Sequence, residues 1–429
     1  MMDRDHASPG IFYGWWVVIT CSMIGALSSA GRFSFSIFFP TLLDDLGWTR
    51  AMLGFGLTLH MWVYATTVIV IGILVDKYGA RLIMVMGGLL ILLGLVLTSA
   101  MRFLWQFYIY YGIILALGVA ATLSVPVQAT ARKWFIKRAG LATALAASGM
   151  NLGFGLVVLV SPTLIGLFGW RRSWLYIGCV AGAAIVLLAG VVVRKDPESM
   201  GLYPDGAAAP PAAPENKPGP GSVDHGEPAW TVPEALKTRS YWLLLFGYGL
   251  IGVNYIGVSG HVTAWGLEVA SAAKIPPHEA MNVIKLSVFL LATLAAVGGL
   301  IGGPLSDRIG RKPVFVASNL LLFGTFIYAT RVHTLPGLLV VCLASGILLG
   351  LCIPLWAVYL GDIFGRASLA SLFGLLTFSM GIIGGSGPVI FGWIFDVTGS
   401  YDMAWLFAAS TTLITCVLVL LTRKETKKG

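Results

Sequence analysis

Few side chains in this 429-residue sequence could do chemistry, and those that could are cations and imidazoles set inside long apolar runs. Arg32 lies about twenty residues into the first run, in Ser28-Ser29-Ala30-Gly31-Arg32-Phe33-Ser34-Phe35-Ser36. In hydrocarbon a guanidinium at such a depth costs at least ~2.5–3.5 kcal/mol, so it must face protein or water. Gly25, Ser29, Arg32 and Ser36 fall on one helical stripe, the pattern of a cavity wall. A planar guanidinium there can grip a carboxylate through two parallel hydrogen bonds. His261 shares a second stripe with Asn254 and Gly257, and its imidazole changes protonation near neutrality; His60 is a second candidate of that kind. Lys285 adds another cation, and Trp356, Tyr359 and Phe378 read as apolar walls for a small solute. The candidate binding set is therefore Arg32, Ser29, Asn254, His261, Lys285, Trp356, Tyr359 and Phe378, with His261 and His60 as candidate proton carriers.

Other chemistries lack their residues. Asp44, Asp45, Glu268, Glu279, Asp362, Asp396 and Asp402 all fall near the ends of apolar runs, so interior cations outnumber interior anions and favour a negatively charged ligand. The five cysteines are scattered through apolar sequence, where neither a disulfide framework nor a metal cluster is expected. Gly381-Ile-Ile-Gly384-Gly385 has no strand before it and reads as close helix packing, not as a phosphate loop. No catalytic residue, metal or cofactor is expected, and any work must draw on a gradient instead of ATP.

The elements that position these residues follow from composition. With 57% hydrophobic and 11% charged residues, against roughly 45–50% and 25% in soluble domains, the chain has too little polar surface to face water. Spans of about 20 residues are needed to cross a bilayer, and backbone groups in lipid must bond within helices. Breaks at charge, Gly and Pro clusters predict twelve helices, near 13–39, 51–75, 82–101, 107–131, 139–167 and 173–193, then 241–266, 280–305, 313–331, 335–361, 368–394 and 402–421. The fold class is thus an all-α membrane protein of two six-helix bundles, 1–200 and 237–429. They are joined by a linker, 201–236, whose core is rich in Ala, Pro, Gly and charge. Gly72-Ile-Leu-Val-Asp76-Lys-Tyr-Gly79 returns 231 positions later as Gly303-Pro-Leu-Ser-Asp307-Arg-Ile-Gly310, which marks a duplication. Halves repeated in parallel place a ligand site between them near mid-depth. Of the 28 Lys and Arg, 20 fall in loops on the side of both termini and 6 in the opposite loops, so both termini are expected in the cytoplasm. The formal charge of +9 then follows from topology, with no nucleic-acid partner.

These motifs resemble the major facilitator superfamily. Gly303-Pro-Leu-Ser-Asp307-Arg308-Ile-Gly310-Arg311-Lys312 matches its GxLxDRxGRK signature, and Gly72 to Arg81 matches with small changes. The pieces Tyr13-Gly14-Trp15-Trp16, Asp45-Leu46-Gly47-Trp48-Thr49-Arg50, Ala131-Arg132-Lys133-Trp134-Phe135 and Pro197-Glu198-Ser199-Met200-Gly201-Leu202-Tyr203-Pro204 resemble the branch of monocarboxylate transporters and oxalate/formate antiporters. At the helix-8 position where that branch commonly carries an arginine, this sequence has Gly299. The resemblance implies a secondary active carrier of small organic anions, a proton-coupled monocarboxylate symporter working by alternating access as a monomer in the plasma membrane. An exchanger of organic anions, an exporter of a larger apolar compound and a non-transporting sensor are the alternatives. Gly72, Asp76, Arg81, Gly303, Asp307 and Arg311 are expected to set the balance of inward and outward states, since glycine allows close approach and the carboxylates can hold a helix terminus or an arginine.

Overall fold

Hydrocarbon offers backbone N–H and C=O groups no water to bond, so a chain this apolar closes its hydrogen bonds within helices. The computed structural model describes residues 12–135, 138–194, 196–206, 230–364 and 369–423, and among these no strand occurs. Among the described residues eleven helices are long and apolar enough to cross a membrane. The longest of them, Ser148–Val191, has 44 residues, which laid straight would reach about 66 Å, roughly twice the hydrocarbon thickness. Gly169, at φ 74° and ψ 163°, breaks it and restores twelve crossings. We number these α1 (Tyr13–Leu46), α2 (Arg50–Tyr78), α3 (Ala80–Ser99), α4 (104–134), α5 (139–168), α6 (170–191), α7 (Arg239–Ala272), α8 (Pro277–Ile309), α9 (Arg311–Ala329), α10 (Leu335–Phe364), α11 (369–398) and α12 (Asp402–Leu421).

Boundaries differ from the sequence expectation where local chemistry decides them. Helix α1 continues past 39, through Pro40, until Gly47 adopts the left-handed region (φ 65°) and its N–H bonds to Leu43 O. The expected gap between α5 and α6 shrinks to the single residue Gly169. Helix α4 is no plain α-helix: Tyr108–Leu115 winds as π-helix, and Leu123 at ψ −98° kinks the next turn. Helix α11 tightens into a 3₁₀ turn at Gly384–Ser386.

The duplication is visible in three dimensions. Gly79 (φ 86°, ψ 152°) and Gly310 (φ 93°, ψ 154°) make the same turn 231 residues apart, in a region only glycine enters freely. Neighbour pairs also recur: α1 packs on α5 as α7 does on α11, α2 on α4 as α8 on α10, and α3 on α6 as α9 on α12. Small residues let these backbones approach, as where Gly88 meets Ile185 and Gly298 meets Gly350 and Leu351. We refer to 12–206 and 230–423 as the two halves. Most of the expected linker lies outside the described residues, so the boundaries 201 and 236 remain expectations. Between halves, α2 lies on α11, α1 on α7 and α5 on α8.

The break at Gly169 gives a direct check. A Cβ there meets open space, so Gly169→Ala suffers only backbone strain, of about 1–3 kcal/mol. Its thermal midpoint in detergent should fall, whereas Gly166→Ala, in equally open space within helix, should hold or rise. Equal midpoints would mean that α5 and α6 do not need this conformation.

Candidate functional site

Arg32 sits where the halves meet. Its backbone carbonyl accepts from the Tyr111 hydroxyl at 2.8 Å, and Tyr111 belongs to the π-helical turns of α4. The guanidinium is half-buried. Nη2 donates to the Met61 sulfur at 2.9 Å, while the ring centroids of Phe33 and Tyr64 lie 5.2 and 5.1 Å from Cζ. Nε is buried without a hydrogen-bond partner, and among the described residues no carboxylate pairs with the group. Sulfur and ring faces are weak partners, so the charge retains capacity for a stronger acceptor.

A cavity of about 20 Å³ opens beside this guanidinium, lined by Arg32 and Ser36 of α1, Leu57 and Met61 of α2, and Tyr255 and Ser259 of α7 among others. That volume holds about one water, so a solute can enter only by moving the walls. Ser36 Oγ is a second buried polar atom here without a partner. Arg32 and Ser259, from the first helix of each half, share the cavity.

The remaining candidates are distributed elsewhere. The expected wall of Gly25, Ser29, Arg32 and Ser36 divides: Ser29 Oγ bonds to Met150 O at 3.0 Å and Gly25 faces Met150, so both turn toward α5. Asn254 is pinned to α12, donating to Thr412 Oγ1 at 2.9 Å and accepting from Thr411 Oγ1 at 2.9 Å. Trp356 packs between Phe315 and Tyr248, and Tyr359 hydrogen-bonds Thr422 Oγ1 at 2.5 Å, both inside the second half. Lys285 on α8 and Phe378 on α11 are half-buried and do not line the cavity. His60 bonds through Nδ1 to Tyr111 O at 3.1 Å, and its buried Nε2 has no partner. His261 is 2% exposed. Its Nε2 must carry a hydrogen, because it meets the Pro388 carbonyl at 2.8 Å, while Nδ1 lies 2.8 Å from the Tyr401 hydroxyl and can accept from it. The neutral ring is fully satisfied, and it meets the Phe39 ring of the other half at 4.8 Å.

Beyond His261 lies a cross-half latch that sequence reasoning missed. The Asp396 carboxylate, at the end of α11, accepts from the backbone N–H groups of Arg50 (3.1 Å) and Ala51 (2.7 Å), so it caps α2 from the opposite half. Arg50 Cζ stands 3.7 Å from the centroid of the Phe395 ring. Deeper along the seam, Trp62 Nε1 donates to Ile382 O at 2.8 Å. Gly54 lies against Pro388, Gly385 against Met61 and Gly392 against Arg50, each so close that an added Cβ would collide. In sequence Arg50 and Asp396 look like ordinary boundary charges; the glycine run on α11 was the only available signal, and it gave packing without a partner.

The signature loops act within halves. Arg311 pairs with Asp307, one turn away, and reaches Asp362 of α10 at 3.3 Å and Ser306 Oγ at 2.5 Å. Gly72 lies beside Val125, and Arg81 borders a groove with Arg194. The side chain of Asp76 and the surroundings of Gly303 lie outside the described residues.

Known proteins bear on this arrangement. The sequence profile described as Major Facilitator Superfamily matches residues 21–273 and 248–429. Monocarboxylate transporter 14 of Homo sapiens is 24% identical over 97% of this chain and 92% of its own. Monocarboxylate transporter 12 of Rattus norvegicus is 25% identical over 95% and 85%. Monocarboxylate transporter 1 of Homo sapiens reaches 32% over 42% of this chain and 37% of its own. A bacterial homologue of the human lysosomal transporter Spinster, in an inward-facing and unoccupied conformation, superposes with a TM-score of 0.71 at 16% identity, covering 96% of each chain. The nucleoside transporter NupG does so at 0.73 and 14%, covering 96% of this chain and all of its own. A chain with twelve apolar crossings, a repeated signature turn and this matching profile is an integral membrane protein that belongs to the major facilitator superfamily, among transporters related to the monocarboxylate branch.

Proposed function

We propose that the protein carries small monocarboxylates across the membrane together with a proton, with Arg32 as the group that holds the carboxylate. The observation that carries this reading is an uncompensated guanidinium at the seam of the halves, beside a cavity whose other polar groups are hydroxyls of Ser36, Tyr255 and Ser259. An anion arriving there gains charge-assisted hydrogen bonds in a low-dielectric setting, and the neutralised pair crosses the closed state more readily than a bare charge. The curated relatives named above are monocarboxylate transporters, which supports the substrate class. We place the Arg50 end outside and both termini in the cytoplasm, following the bias of Lys and Arg toward the loops on the terminal side. The latch then closes the outer end, and His261, locked between Pro388 and Tyr401, exchanges a proton with water only after that end opens.

Anion exchange is a second reading, favoured by one feature. Because no described carboxylate balances Arg32, the empty carrier must reorient around an unpaired charge, which slows return without a counter-anion.

Uptake of labelled lactate and pyruvate into proteoliposomes tests both. Arg32→Ala should insert and elute normally yet lose roughly ten- to hundredfold in uptake at low substrate, the loss of hydrogen bonds to a charged group; parental uptake would remove Arg32 from the mechanism. An inward proton gradient should drive accumulation into empty vesicles. Uptake that ignores the gradient and requires internal anion would establish exchange instead.

The latch makes a separate prediction. Asp396→Ala removes the cap on α2, so a membrane-impermeant thiol reagent applied from the Arg50 side should label Ser259→Cys severalfold faster than in the parent background. Unchanged labelling would show that the outer end is closed by the glycine seam alone.

A further inference from the structure

Where α2 turns into α3, a groove of about 660 Å³ runs between the start of α3 and the end of α6. Its composition is divided. Arg81, Arg194, Tyr78 and Ser199 stand at the end nearest the signature turn, and Leu82, Val85 and Val186 continue it along the helices. Neither arginine is in an ion pair among the described residues. Asp196, two residues beyond Arg194, accepts from Ser199 N at 2.9 Å and forms no ion pair among the described residues. From Leu82 the apolar surface continues beyond the groove: Leu82, Met86 and Leu89 form an exposed stripe on α3, and Leu187 and Val191 are each 65% exposed on α6. In a membrane protein such surface faces acyl chains, and the paired cations fall where headgroups lie.

We propose that this groove is a binding site for an anionic phospholipid, its phosphate between Arg81 and Arg194 and its chains along Leu82, Val85 and Val186. Charge complementarity selects the headgroup, because a zwitterionic lipid brings its own cation to a site that already holds two. The apolar floor selects a lipid over a free anion, which would leave Leu82 and Val186 uncovered. The site is independent of Arg32 and stands whatever the transported solute is.

Native mass spectrometry of the full chain extracted from vesicles of equal phosphatidylglycerol and phosphatidylcholine tests it. The parent should retain phosphatidylglycerol preferentially, and the double variant Arg81→Gln, Arg194→Gln should lose roughly thirtyfold of that retention, at about fivefold for each arginine near a headgroup. Retention unchanged in the double variant, equal retention of both lipids by the parent, or displacement of the lipid by millimolar inorganic phosphate would each overturn the assignment, the last by showing a free-anion site. Should the double variant fail to fold, Gly190→Leu decides: a Cβ at Gly190 meets only Val85 Cγ2, at 4.0 Å, so this groove-lining position has room for added bulk that narrows the groove while both arginines remain. It should lower phosphatidylglycerol retention as well, and parental retention in that variant would refute the site.

Discussion

Among the described residues no carboxylate neutralises the guanidinium of Arg32, which sits where helices of both halves meet. Placing a guanidinium within a span is costly unless it faces protein, water or a ligand. The chain meets that demand by bringing α1, α2 and α7 together around Arg32 and by giving it only soft contacts, a methionine sulfur and two ring faces. Such contacts hold the side chain in place without satisfying it. The backbone beneath it is fixed by Tyr111, whose hydroxyl reaches Arg32 O from turns of α4 that are wound as π-helix. A π segment leaves the regular ladder and recurs at functional positions; here it carries the residue that also takes His60 Nδ1 on its carbonyl. Among the described residues its guanidinium therefore keeps unused hydrogen-bonding capacity at Nε.

The two ends of the molecule are held by different means. At the Arg50 end the contacts cross between halves: a carboxylate of one caps a helix of the other, a guanidinium stacks on a ring, and His261 meets Phe39. At the other end the second signature loop binds within its own half, Arg311 tying the turn between α8 and α9 to α10 through Asp362. The described contacts thus join the halves at the first end and stay within one half at the second.

Much of this was legible in the sequence. Span count and the doubled plan follow from strong effects: hydrocarbon thickness and a repeat of signature turns whose glycines adopt positive φ. What stayed hidden depends on tertiary partners. Asp396 is a boundary carboxylate until α11 is laid on α2, and Asn254 resembles a cavity residue until Thr411 and Thr412 of α12 are seen to satisfy it. The Gly25 and Ser29 stripe was split because a helix in a bundle has neighbours on several sides, and helical period alone does not say which of them a stripe faces. The π turns of α4 arise in a sequence, Tyr-Ile-Tyr-Tyr-Gly-Ile-Ile-Leu, with neither proline nor charge to announce them.

The strength of the latch fits an equilibrium that must reverse. A helix cap is worth about 0.5–2 kcal/mol and a half-buried cation–π contact about 0.5–2 kcal/mol, so each is a modest tie between the halves. In the seam behind them Gly54 and Gly392 meet the backbone of the opposite helix, whereas Gly385 lies against the side chains of Met61 and Trp62. Large residues there would have to disengage knob from hole before α2 and α11 could part. At Gly54 and Gly392 backbone touches backbone, and such contacts part without that step.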